Sequence, residues 1–65
     1  MEFSDKHSHI LEIGYIVDVD QTEDNQAFQG SIVGFKDEFV LVEDQESNVF
    51  CMRDYELELA HIPFD

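Results

Sequence analysis

Apolar and polar side chains alternate along most of this 65-residue chain. A period of two commits the backbone to strands, because successive strand side chains point to opposite faces. Leu11, Ile13, Tyr15, Val17 and Val19 share one face, while Glu12, Gly14, Asp18 and Asp20 share the other with Ile16. Residues 11–20 therefore read as one long, half-buried strand. The stretch QTEDNQA (21–27) is polar and reads as a loop. A second strand covers 28–33, with Gly30 inside it and Gly34 at its end; glycines there mark a bend, a bulge or a close backbone approach. Lys36, Asp37 and Glu38 form a tight turn. Residues 39–42 (FVLV) are apolar on both faces, as in a strand covered on both sides. DQESN (44–48) is a second hairpin turn, and residues 49–52 (VFCM) are the fourth strand. Tyr55, Leu57, Leu59 and His61 then alternate with Glu56, Glu58, Ala60 and Ile62 in a fifth strand over 55–62, closed by Pro63. Ahead of Leu11, Ser4 is placed to cap a short helical turn over 5–9, with Asp5 at its positive end.

Short strands separated by turns every 8–12 residues or so predict an all-β fold. The expected form is a five-stranded, strongly bent, small open barrel. It occupies residues 10–62 of a single domain spanning 1–65, behind an N-terminal turn or coil over 1–9. A chain of this length buries only about 60% of the surface it exposes when unfolded, so its core is thin. One cysteine, Cys51, excludes an intrachain disulfide, and no Cys/His set has zinc spacing. Assembly with further copies is the remaining source of stability. No uncharged stretch is long enough to span a membrane, and no charged-then-apolar leader opens the sequence. A cytoplasmic, reducing setting is the expectation.

Charge narrows the function. Three Lys+Arg stand against sixteen Asp+Glu, a net −13. Such a chain repels phosphate backbones and lacks the row of cations that dominates nucleic-acid affinity. It suits a basic protein partner, and an acidic mimic of nucleic acid is one reading of it. Disorder is excluded by the 43% apolar content and six Phe. Asp18, Asp20, Glu23 and Asp24 superficially resemble a calcium loop, but Glu23 stands where that loop needs Gly and Gln29 where it needs its closing Glu. His7 and His9 are too few to hold a metal. Cys51 reads as a buried strand thiol. No nucleophile–base–orienter set and no phosphate-cradling glycine loop occurs, so neither enzyme activity nor a cofactor is expected.

Two segments carry a resemblance. FQGSIVGFKDEFVLV (28–42) resembles the first signature of Sm-like (LSm/Hfq) proteins, in which an apolar residue and a Gly open a bent strand before a turn and an aromatic-led strand. VFCMRDYELEL (49–59) resembles the second signature. The resemblance implies a homo-oligomeric ring of about five to seven subunits, with the fourth strand of one copy paired to the fifth of the next. Val49, Phe50, Cys51, Met52, Leu57, Leu59 and Ile62 would line that interface. It also implies RNA as a partner, with Phe39 stacking a base and Arg53, helped by Lys36, contacting phosphate. The chain departs from the family at the remaining positions. Leu41 replaces the uracil-reading Asn, Met52 removes one polar group of the Lys-His pair, and Asp54 replaces the Gly after the arginine. The resemblance thus implies a ring-forming scaffold or binding protein in which RNA binding is weak or lost.

Overall fold

Short apolar segments between turns form the sheet. The computed structural model describes residues 2–21, 23 and 26–63. Its main sheet holds five antiparallel strands: β3 (Ile16–Val19), β4 (Phe28–Lys36), β5 (Phe39–Glu43), β6 (Val49–Met52) and β7 (Leu57–His61), in the order β6-β5-β4-β3-β7. A separate hairpin pairs β1 (Phe3–Ser4) with β2 (Ile10–Leu11). The all-β expectation is met. The sheet does not close into a barrel: among the described residues, no strand pairs with the outer side of β6 or β7.

β4 changes neighbours along its length. Its first part, from Phe28 to Ser31, pairs with β3, and its second, from Ser31 to Lys36, pairs with β5 across a register shift between Ile32 and Gly34. Gly30 sits at the crowded end of this arrangement. A Cβ there would lie 2.6 Å from the Glu43 carbonyl oxygen and 2.7 Å from a Val42 methyl. Only a residue without Cβ lets the end of β5 cross so close. One face of the sheet supplies Val17, Val19, Ile32, Val40, Val42, Met52 and Leu57 to the core, and the hairpin covers it with Phe3 and Leu11. Val17, Val40, Val42 and Leu57 have no accessible surface. Each such side chain contributes about 1.5–3 kcal/mol relative to exposure.

Four sequence expectations need correction. The helical turn over 5–9 is a hairpin turn, because the Asp5 carboxylate ties down the amides of His7 and His9 and Ser8 takes a left-handed φ of 68°. The long strand over 11–20 breaks at Gly14, whose φ is 96°; this turn separates β2 from β3 and leaves Ile13 exposed. Tyr55 leaves the fifth strand for a 3₁₀ turn (Asp54–Glu56), so β7 begins at Leu57. Cys51 is exposed, because Val49 and Cys51 point away from the face that buries Met52. The third strand is covered unevenly: Val40 and Val42 are buried, Phe39 and Leu41 half-buried.

Candidate functional site

The turn after β6 folds because Glu56 reaches back. Its Oε1 accepts the Arg53 N–H at 2.9 Å, while its own N–H donates to the Arg53 carbonyl at 3.0 Å. That reciprocal pair holds the 3₁₀ turn and aims the Arg53 side chain across the start of β5. The guanidinium carbon lies 5.5 Å from the centroid of Phe39 and 5.6 Å from that of Tyr55. Its Nη2 is 3.4 Å from a Glu38 carboxylate oxygen, and its Nε is buried with no hydrogen-bond partner among the described residues. Phe39 and Arg53, the two residues that the resemblance implies at an RNA site, are thus brought together. The cation, however, already spans two aromatic rings and an acid. Each ring contact at this exposure contributes about 0.5–1 kcal/mol. Lys36 pairs opposite Phe39 across the β4–β5 turn and is exposed. Asp37, Glu38 and Asp54 lie in the same two turns, so acids outnumber cations locally. Leu41 is half-buried beside Gly34 and offers no polar group.

The expected interface residues divide between edge and core. Val49 and Cys51 are exposed on β6, Phe50 packs its ring 5.1 Å from that of Phe28, and Met52 is buried. No charged residue or proline blunts this edge, the usual protection of an unpaired strand. On β7 the edge is partly occupied. The Leu57 side chain belongs to the core, and its carbonyl accepts the Lys6 N–H at 3.1 Å. The Leu59 N–H donates to Asp5 Oδ2 at 2.7 Å. Beyond Leu59, Ala60 and His61 are exposed and Ile62 half-buried, beside an open groove shared with His9.

Sequence reasoning missed Asp5. Its carboxylate is fully buried and accepts the N–H groups of His7 (2.9 Å), His9 (2.8 Å) and Leu59, with the His9 Nδ1 at 3.1 Å. Burial pushes its carboxyl pKa up, but the N–H donors of Leu59, His9 and His7 and the His9 ring outweigh that and hold it well below the usual carboxylate range. Two further contacts staple the same loop down: Lys6 Nζ to Asp20 at 2.8 Å and His7 Nε2 to Glu58 at 2.7 Å. Both are exposed and worth little individually. The Asp20 pair raises the Lys6 ammonium above its ordinary value.

Two of the four acids read as a calcium-like loop have partners of their own. Asp18 accepts from the Gln29 amide, Asp20 binds Lys6, and Asp24 lies outside the described residues. Among the described residues no group of three or more His, Cys, Asp or Glu could hold a metal, and no helix is long and apolar enough to cross a membrane. The sequence matches no family model, and neither a curated protein nor a solved structure is significantly similar to it.

Proposed function

We propose that the chain is a ring-forming, Sm-like scaffold or binding protein in which the RNA site is weak or lost. The observation that carries the reading is the strand order. The two strands that the resemblance pairs between subunits, β6 and β7, are the two edges of the sheet. β6 offers an uncharged edge with Val49 half exposed (52%), a surface that is a hazard on a monomer and an asset in an assembly. On β7 the neighbouring copy pairs beyond Leu59, leaving the Asp5 contacts in place. A heterologous contact between two different edges closes into a ring when its rotation allows. Arg53 supports the loss of RNA binding, since a base stacking on the ring face that it covers must displace a guanidinium held by Tyr55 and Glu38.

Light scattering on the purified chain tests the assembly. A single species of about five to seven subunits is expected at micromolar concentration. Substituting Val49→Lys, which places a charge on the open edge without touching the core, should release monomers. A wild-type monomer, or an oligomer indifferent to Val49→Lys, would overturn the proposal.

A further inference from the structure

A second surface is lined by the N-terminal hairpin and the end of β4. Phe3, Ile10, Leu11, Ile13, Tyr15 and Phe35 line an open groove of about 640 Å³, with the carboxylates of Glu2 and Glu12 at its rim. Its floor is ordered: the Phe3 and Phe35 rings stack with centroids 5.0 Å apart and planes within 2°. One rim acid is also held in place, because the Tyr15 hydroxyl donates to Glu12 at 3.0 Å. Ile10 (50% exposed), Ile13 (60%) and Phe35 (37%) are three of the six large apolar side chains exposed among the described residues, and all three meet here. Apolar exposure concentrated at one place marks a binding surface rather than the scattered exposure normal for small proteins. Among the described residues, no Lys, Arg or His lines the groove.

We infer that this groove docks a short basic peptide segment of a partner protein, with one or two bulky apolar side chains seated between Ile10, Ile13 and Phe35. The flanking Lys or Arg residues would meet Glu2 and Glu12. Charge decides the occupant. A basic segment sets its cations against Glu2 and Glu12, which a copy of this chain, with three Lys+Arg among sixteen Asp+Glu, is poorly composed to do. The groove is built from the N-terminal hairpin and the end of β4, and none of its described lining residues belongs to β6 or β7.

The test is an amide and methyl NMR titration of the full chain with the peptide acetyl-Lys-Arg-Leu-Phe-Lys-Arg-amide. Shift changes concentrated at Ile10, Ile13 and Phe35 are expected. Replacing the central Leu-Phe by Ser-Ser, or making Ile13→Ser in the protein, should weaken binding about tenfold or more. Ile13 lies on an exposed turn outside the core, so the variant keeps its fold, which its melting curve verifies. Glu12→Gln should weaken binding two- to threefold or so and flatten its salt dependence. Shifts spread over the acidic strands, equal binding of the Ser-Ser peptide, or equal binding of a Glu-flanked peptide would each overturn the inference.

Discussion

Replacing Asp5 should cost this protein a large part of its stability, although the sequence places the residue in an unremarkable polar segment. The carboxylate is buried and serves three backbone N–H groups. In Asp5→Ala the Leu59 N–H loses a charge-assisted bond of about 1.5–3 kcal/mol. The His7 and His9 amides belong to exposed residues that water can reach, so together they add about 1 kcal/mol. The sum is about 2.5–4 kcal/mol, against a total of roughly 3–10 kcal/mol for a domain of this length. Tm should therefore fall by about 10–30 °C. Thermal melts followed by circular dichroism measure it, and hydrogen exchange at the Leu59 amide locates it. The linkage sign follows from the depressed pKa. The folded state binds fewer protons than the unfolded one at acid pH, so the stabilisation is complete above the unfolded value near 3.9 and is lost as pH falls through the folded value. The gap between wild type and Asp5→Asn should thus narrow from pH 6 toward pH 2. A loss below 0.5 kcal/mol or so, a Leu59 amide that still exchanges slowly, or a gap that widens in acid would refute the reasoning.

Gly30→Ala should destabilise by about 1–3 kcal/mol, because its Cβ meets the Glu43 carbonyl at 2.6 Å, whereas Gly34→Ala, 3.6 Å from a Leu41 methyl, should be nearly neutral in urea melts. Oligo-U should bind no better than about 10⁻⁴ M at physiological salt; submicromolar binding abolished by Phe39→Ala and by Arg53→Ala would show a working RNA site. Cys51 is exposed on β6, so a maleimide should modify it without denaturant in dilute protein and more slowly once copies assemble. Equal rates across the concentration range would remove β6 from the interface.

The strands were legible where apolar residues alternate between clear turns, and less so where local bonding rules. DKHSH (5–9) and DQESN (44–48) are the same turn. In each, the Asp N–H donates to the carbonyl of the fifth residue at 2.9 Å, and the Ser N–H donates to the Asp carbonyl. In each, Asp Oδ1 accepts from the third and fifth amides, and the Ser φ is 68° or 69°. The second copy was readable because two four- to five-residue apolar strands flank it. The first is flanked by strands of only two residues, too short to show a period, and its Ser–Asp order imitates a helix cap. Gly14 and Tyr55 failed for a related reason. Both keep the alternating pattern, while a positive φ at one and the Glu56–Arg53 bonding at the other turn the backbone out of the strand. At the candidate site, Phe39 and Arg53 were singled out only by the resemblance, and the β5–β6 register sets them side by side. The engagement of that arginine by Tyr55 and Glu38 is a matter of side-chain geometry, which spacing does not encode.

Strand pairing between copies can be observed directly by isotope-filtered NOE measurements on a mixture of labelled and unlabelled protein. Cross-peaks between Val49–Met52 of one copy and Ala60, His61 and Ile62 of another are expected, with the Asp5–Leu59 contact intact within each copy. Cross-peaks joining β6 to β6, or none between copies at millimolar concentration, would contradict the ring.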